Sequence, residues 1–312
     1  MLRGRVNLAP NAGCLRDGFK ANSSGVDVQV LVEGVWMAEV WISDSDVLAK
    51  KTAAFRRVGS GGICVVSDWD RTLTYPKTRD GLDTSSYLAI VHGGYLGEGY
   101  QKKMAQLYVK YRKVELTTNM LEADKLRAMN EWWMAAFDLL KRFGLTREMI
   151  EDVGRQDAMV LRAGVADFFR ALEAKLVPLQ IVSAGLGDVI EAFLKARDLK
   201  LGHMNVVANW IQFSRQGQVV GCGDPVIHSA NKTQLVDLEK LGNRRCVLLL
   251  GDTLEDCGMV ADFDGGTVIR VGFLNGDTEG NRSDFSAAYD VVVGGNGDFG
   301  YVNDFVGTCI EH

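Results

Sequence analysis

The sequence predicts an α/β protein: a parallel sheet covered by helices on both faces, with a helical segment inserted between its first and second strands. Three observations predict it. The apolar, β-rich runs GICVVSDWD, VPLQIVSAG, RCVLLLGDT and YDVVVGG each end in small or acidic residues and lead into helical spacing, and TVIRVGF reads as a fifth. These runs are continuous rather than alternating, the pattern of strands buried on both faces. Between the first and second runs, residues 78–164 carry helical spacing and no convincing strand. In sheets of this kind ligands bind beyond the carboxyl ends of the strands, which is where the polar residues stand.

From the N-terminus, residues 1–40 read as an extension. Its first part, MLRGRVNLAPNAGCLRDGFKANSSG, is basic and nearly free of acids, and is expected to be disordered rather than an organellar presequence. The run VDVQVLVEGVWMAEVW can contribute a strand or an interface. SDSDVLAKKTAAF then reads as a helix capped by Ser or Asp, and VGSGG breaks it. The core is expected over 41–77 and 165–312. The insertion, 78–164, holds three segments of helical spacing, GEGYQKKMAQLYVKYRKVEL, LEADKLRAMNEWWMAAFDLLKRFG and TREMIEDVGRQ, with a hinge at TRDGLD. FSRQGQVVGCG reads as a small β-hairpin turning near Gln216 and Gly217.

With 312 residues, 47% hydrophobic and 24% charged, the chain has the make-up of a folded soluble protein and the length of a core with a sizeable insertion. A net charge of −5 argues against a nucleic-acid polymer as partner, because such proteins carry a basic patch. A small anionic substrate stays open, provided a metal, a lysine or backbone N–H groups compensate it locally. The six cysteines, Cys14, Cys64, Cys222, Cys246, Cys257 and Cys309, form no CxxC pair, so reduced thiols in a cytosol-like compartment are expected. No apolar run reaches the ~20 residues that span a bilayer, and no membrane partner is expected.

The chemistry concentrates at the ends of the apolar runs. In an extended SDWD segment the period of two turns the carboxylates of Asp68 and Asp70 to one side, where they can converge on one cation. Surface turns and glycosyltransferase metal sites also contain DxD. Carboxylates crowded at the end of a buried strand repel and desolvate each other, a cost that a divalent ion offsets, and oxygen-only ligands favour Mg²⁺. In IVSAGLGDVIE, Ser183 ends a strand and small residues precede a helix beginning near Gly187, so the turn offers a hydroxyl and free N–H groups to an anion. An ordinary strand-to-helix turn has the same pattern. Lys232, in HSANKTQLVDLEK, stands at a helix start, where a lone lysine is ordinarily solvated. In LLLGDTLEDC, Asp252 ends a buried strand and Asp256 follows one helical turn on.

Taken in order, DxDxT, strand-end Ser, Lys and GDxxxD resemble the signature of the haloacid dehalogenase-like phosphohydrolases. Those proteins have a Rossmann-like three-layer core with a parallel sheet, and a cap domain where this chain has its helical insertion. SDWDRTLT, KYRKVEL, EWW, IVSAGLGDVIEAF, NKTQ, LLLGDTLED and YDVVV carry a closer resemblance, over residues 47–306, to the cytosolic pyrimidine 5′-nucleotidase family, the type III cytosolic 5′-nucleotidases.

That resemblance implies Mg²⁺-dependent hydrolysis of UMP and CMP to nucleoside and phosphate through an aspartyl-phosphate. By it, Asp68 is the nucleophile and Asp70 the general acid and base. Asp68, Asp70 through its backbone carbonyl, and Asp252 hold Mg²⁺, while Ser183, the Ala184 N–H and Lys232 gather the phosphoryl oxygens. Thr72 supports the loop of the two aspartates, and Asp256 orients the Asp252 loop or a metal-bound water. Glu115 falls where the family contacts the base. Trp132 and Trp133 diverge by about 100° on a helix, so one is left to stack and the other to pack. Ala136 stands where some members carry a base-touching serine, which leaves base preference open, 7-methylguanosine monophosphate included. The expected partner is a small nucleoside monophosphate, the location cytoplasmic, and the chain a monomer or weak homodimer. Two readings compete: a phosphatase of similar fold for another small phosphate ester, and a nucleotide-binding scaffold without turnover.

Overall fold

The computed structural model describes residues 39–310 apart from 116, 118–119, 237–240, 243, 262, 264 and 277–279, together with four short strand segments between 21 and 36. Those segments are β1 (Ala21–Asn22), β2 (Gly25–Val28), β3 (Leu31–Val32) and β4 (Val35–Trp36). The remainder of the predicted extension, Cys14 included, lies outside the described residues.

β5 (Val40–Ile42) leads into α1 (Ser45–Gly62). Asp44 caps α1, its carboxylate accepting from the N–H groups of Asp46 and Val47 at 2.9 Å. The VGSGG stretch breaks the helix as expected, because Gly59 takes a φ of 58°, a conformation that a β-carbon resists. β6 (Ile63–Ser67) is the first core strand. The chain then leaves the sheet for α2 (Leu88–His92), α3 (Gly97–Glu115), α4 (Glu122–Arg142) and α5 (Arg147–Arg155). It returns through α6 (Val165–Ala174) to β7 (Leu179–Leu186), α7 (Gly187–Ala196) and β8 (Met204–Asn209). The predicted hairpin follows as β9 (Ile211–Phe213) and β10 (Val219–Cys222), the Ser214 N–H bonding Gln218 O across the turn. β11 (Cys246–Gly251), β12 (Thr267–Phe273), α8 (Arg282–Ala288), β13 (Val291–Val293) and α9 (Gly300–Ile310) complete the chain.

The main sheet runs β1-β2-β5-β13-β12-β11-β6-β7-β8. From β13 to β8 every pairing is parallel, and β5 adds to β13 antiparallel. All five predicted runs are strands of this sheet. Sequence reading did not name β8 as a strand: its segment MNVVAN has polar residues near both ends and a half-buried middle, so it lacks the continuous apolar run of its neighbours. Every residue of β6 and β11 is buried. Ile63 and Val65 point into one apolar cluster, with residues of α1, α6, α7 and α9, while Cys64 and Val66 point into a second with Met259 and Val260. Alternate residues of one strand thus serve two faces, which makes the core three-layered.

Between β6 and β7 the described residues hold helices and isolated bridges but no named strand, as the spacing predicts. The two ends of this segment lie side by side: Thr74 and Leu161 form an antiparallel bridge, the Tyr75 N–H bonds Val160 O at 2.8 Å and the Arg162 N–H bonds Leu73 O at 3.0 Å. Tyr100, Phe137 and Leu140 of the inserted helices join the same apolar cluster as the sheet. Among the described residues no helix is long and apolar enough to cross a membrane, and Cys64, Cys222, Cys246, Cys257 and Cys309 are free thiols.

Candidate active site

Register brings the acids together. β6 and β11 pair so that Ser67 faces Leu250, and the Asp68 N–H bonds Leu250 O at 3.0 Å, which sets the tips of both strands level. Asp68 and Asp252 leave those tips. A 3-10 turn over Leu254–Val260 then returns Asp256 to the same spot. Carboxylate oxygens of Asp68, Asp252 and Asp256 lie within 4.8 Å of one another. Asp256 is fully buried and holds its own loop: Oδ2 accepts from the N–H groups of Asp252 (3.1 Å) and Thr253 (3.0 Å) and from the Thr253 hydroxyl (2.9 Å).

Lys232 is the cation of this cluster. It lies on a 3-10 turn, Ser229–Gln234, is buried rather than solvated, and donates from Nζ to Asp68 Oδ1 at 2.5 Å and to Asp256 Oδ1 at 3.0 Å. Burial alone would lower its pKa, but Asp256 and Asp68 more than reverse that, so it stays charged. Burial raises Asp68 well above the ordinary carboxylate range, with Asp256 and Asp252 adding to the rise and Lys232 opposing it. Asp252 is pushed up to about 7 by burial and by Asp256. Buried carboxylates facing one ammonium make a site that favours an added cation, and a donor set made only of oxygen suits a hard divalent ion.

Asp70 departs from the expected geometry. The strand ends at Ser67 and residues 70–73 turn, so the two aspartates do not project side by side from an extended segment. Instead the Asp70 carboxylate accepts from the Ser86 N–H at 2.6 Å and the Ser86 hydroxyl at 2.7 Å, and it stands outside the three-carboxylate group. Its pKa is raised by burial, against the Ser86 hydrogen bonds. The Ser86 hydroxyl also accepts from the Leu186 N–H at 3.1 Å, which ties Asp70 to the β7–α7 turn. Ser183 is buried there, its hydroxyl accepting from the Gly185 N–H at 3.0 Å.

Close approach at this turn requires glycine. A β-carbon on Gly185 would lie 1.8 Å from the Ser86 hydroxyl and 2.6 Å from Asp70 Oδ2. Gly185→Ala must therefore displace the Asp70 carboxylate or its partner. Misplacing a catalytic group by about 1 Å can cost ~10²-fold, so kcat is expected to drop by that order, with about 1–3 kcal/mol of stability lost to overpacking. Steady-state kinetics and a thermal melt check both.

The loop that joins Asp68 to Thr74 is held from below by Arg162, a residue that sequence reading missed. Its buried guanidinium donates to Arg71 O (2.6 Å), Thr72 O (2.9 Å), Gly297 O (2.6 Å) and Asn275 Oδ1 (2.5 Å), and burial pushes its pKa down to about 10. Asn275 passes the contact on, donating to Arg71 O at 3.1 Å and Asp252 Oδ2 at 3.5 Å. Thr72, fully buried, donates to Asp252 Oδ1 at 3.4 Å. Ser86, Arg162 and Asn275 carried no motif signal: each acts through contacts with residues far away in the chain.

Glu115 ends α3, pairs with Arg112 and accepts from the Ser229 hydroxyl at 3.2 Å. The turn that delivers Lys232 to Asp68 therefore also touches the inserted helices. Trp132 stacks on Tyr111, centroids 5.9 Å apart, whereas Trp133 sits edge-on to Tyr87 and joins the apolar cluster. Ala136 is buried, and its carbonyl accepts from the Tyr87 hydroxyl at 3.2 Å.

Known proteins resemble this chain in sequence and fold. The family model described as pyrimidine 5′-nucleotidase (UMPH-1) matches residues 71–309. A mouse 7-methylguanosine phosphate-specific 5′-nucleotidase is 28% identical over 294 residues, covering 90% of this chain and 97% of its own length. The human protein of the same name is 30% identical over 248 residues, 77% of this chain and 82% of its own. Among solved structures, cytosolic 5′-nucleotidase IIIB bound to cytidine superposes with a TM-score of 0.79 at 25% identity, covering 86% of this chain and 93% of that one. A HAD family hydrolase from Salmonella enterica shares the fold, with a TM-score of 0.53 at 16% identity over 78% of this chain and 71% of its own. A strand-tip acid cluster clamped by one lysine, on a haloacid dehalogenase-like sheet whose sequence fits this profile from Arg71 to Cys309, places the chain in the pyrimidine 5′-nucleotidase family.

Proposed function

We propose that the protein is a Mg²⁺-dependent 5′-nucleotidase that hydrolyses pyrimidine nucleoside 5′-monophosphates, UMP and CMP, to nucleoside and phosphate. One observation carries the reading: two carboxylates on one loop have different partners, Asp68 held by Lys232 and Asp70 held by Ser86. Different surroundings divide a nucleophile from an acid.

An Asp68 oxygen attacks phosphorus, and the bond to the ribose 5′-oxygen breaks as the aspartyl-phosphate forms. Asp70, whose raised pKa favours the protonated form, gives its proton to the leaving oxygen. It then takes a proton from the water that attacks the aspartyl-phosphate, which releases phosphate and restores Asp68. Ser183, the Ala184 N–H and Lys232 gather the phosphoryl oxygens, with Lys232 supplying the positive compensation that an acidic chain requires. Thr72 supports the loop, and Asp256 orients the Asp252 segment. Asp68, the Asp70 backbone carbonyl and Asp252 would hold Mg²⁺, which when bound neutralises charge on the phosphoryl group.

We assign residues 78–164 as the cap and Glu115 as the acceptor for the base, with Trp132 as its aromatic neighbour. Free thiols and the cytosolic relatives fit a cytoplasmic location, and we take the working form as a monomer or weak homodimer. A second reading, hydrolysis of 7-methylguanosine monophosphate, is favoured by the names of the curated relatives. Turnover of UMP, CMP, purine and 7-methylated 5′-monophosphates, and of phosphorylated sugars and amino acids, with and without Mg²⁺, decides between them. The expected result is a Mg²⁺-dependent preference for UMP and CMP. Glu115→Ala should flatten the preference among bases by about tenfold, the worth of one hydrogen bond to a charged group. A preference for non-nucleotide esters would overturn the reading.

A further inference from the structure

His228 is 1% exposed, yet neither ring nitrogen has a hydrogen-bond partner. Its backbone is fully engaged: the His228 N–H bonds Asn231 Oδ1 at 2.8 Å, and the His228 carbonyl accepts from the Asn231 N–H at 3.1 Å. Only the imidazole is left over. A neutral imidazole carries one donor and one acceptor, and burying both unpaired is unfavourable unless a ligand supplies the missing groups.

The position of this residue says which part of a ligand would do so. On one side, Asn209 fastens Ile227 to the anion-binding turn: Asn209 Nδ2 donates to both Ile227 O and Ala184 O at 2.7 Å, and Asn209 Oδ1 accepts from the Ile227 N–H at 2.8 Å. On the other side, the Ser229 hydroxyl reaches Glu115. His228 is the single residue between these anchors, one on the phosphate end of the site and one on the base end. What lies between phosphate and base in a nucleotide is the sugar. Burial lowers the pKa of His228, with the nearby Glu115 charge opposing, so the ring is neutral at pH 7 and offers the donor and acceptor that a hydroxyl can match.

We propose that His228 reads the ribose, its imidazole hydrogen-bonding a 2′- or 3′-hydroxyl of the bound nucleoside monophosphate. The assignment rests on the nucleotide reading above, and it makes sugar recognition a property of the Lys232 turn. The test compares kcat/KM for UMP with that for its 2′-deoxy and 3′-deoxy analogues, in the wild type and in His228→Leu and His228→Asn. The wild type is expected to favour UMP over at least one analogue by about tenfold, one neutral hydrogen bond. In His228→Leu that ratio should fall to about twofold or less. General damage to packing lowers all three substrates together and leaves the ratio alone. Should His228→Leu not fold, the shorter polar His228→Asn must still shift the ratio.

A wild type that ignores both hydroxyls, or variants that keep the wild-type ratio, would overturn the assignment. Its failure is separable from that of the nucleotide reading. If the wild type turns over UMP no better than p-nitrophenyl phosphate, the nucleotide reading falls and the assignment with it. If UMP is preferred and the ratio survives in the variants, the histidine assignment alone is wrong.

Discussion

Replacing Asp68 with asparagine is expected to cut phosphate release from UMP by at least about 10⁴-fold, the scale on which enzymes lose activity when their nucleophile is removed. The amide has the size of the carboxylate and can still meet Lys232, but it cannot open a covalent path. Folding should not suffer. Asp68 is raised by burial and by its two acidic neighbours, so its charge is a liability in the metal-free protein, and Asp256 remains to pair with Lys232. The metal-free variant should therefore melt no lower than the wild type. A folded, Mg²⁺-supplied variant that retained a tenth of normal turnover would sink the covalent mechanism.

Lys232→Met should be costly in both stability and rate. The substitution leaves Asp68 and Asp256 buried without their ammonium, a change that typically costs 3–5 kcal/mol, and it should lower kcat/KM by about 10³-fold through lost charge on the phosphoryl group. The stability loss depends on pH. Asp68, Asp70 and Asp252 all sit above their ordinary pKa, and Lys232 opposes the rise in each, so its removal lifts them further. A carboxyl whose folded pKa exceeds the unfolded value keeps its proton in the native state. Its contribution is complete below about pH 4 and is lost as pH rises through the folded value, about 7 for Asp252 in the wild type. Metal-free wild type should thus lose stability across roughly pH 4 to 7. In Lys232→Met the decline should be steeper and extend to higher pH, and Mg²⁺ should reverse part of it. Denaturant melts at pH 5 and pH 8, with and without Mg²⁺, measure this; equal losses at both pH values would show that the lysine does not govern the cluster.

What could be read from the sequence depended on repetition. Continuous runs such as CVLLLG announce buried strands because each residue meets apolar neighbours on one face or the other, and this fixed the sheet and the strand-tip aspartates together. β8 escaped because MNVVAN is half-exposed and polar at its margins. Asp70 was placed on the right loop, but with the wrong companion. Its spacing from Asp68 assumed an extended backbone that in fact turns at residues 70–73, and only coordinates reveal Ser86. Lys232 was legible through its place in an ordered set of motifs; taken alone, its burial was not. Arg162 binds mainly backbone carbonyls, which every sequence possesses, and Asn275 shares one of them while joining side chains distant in the chain, so no residue pattern betrays them. His228 gave no signal because a histidine without partners looks, in a sequence, like any other.

The bridge between Thr74 and Leu161 changes what the intervening helices mean for the architecture. Because the excursion ends where it began, its backbone leaves and rejoins the core at one point, as a tight loop would, whatever its length. Closing that loop costs conformational entropy that grows only with the logarithm of the residues enclosed. Residues could be added beyond this pinch at little closure cost to the sheet, whereas trimming the helices would also remove Tyr100, Phe137 and Leu140 from the apolar cluster that both parts share.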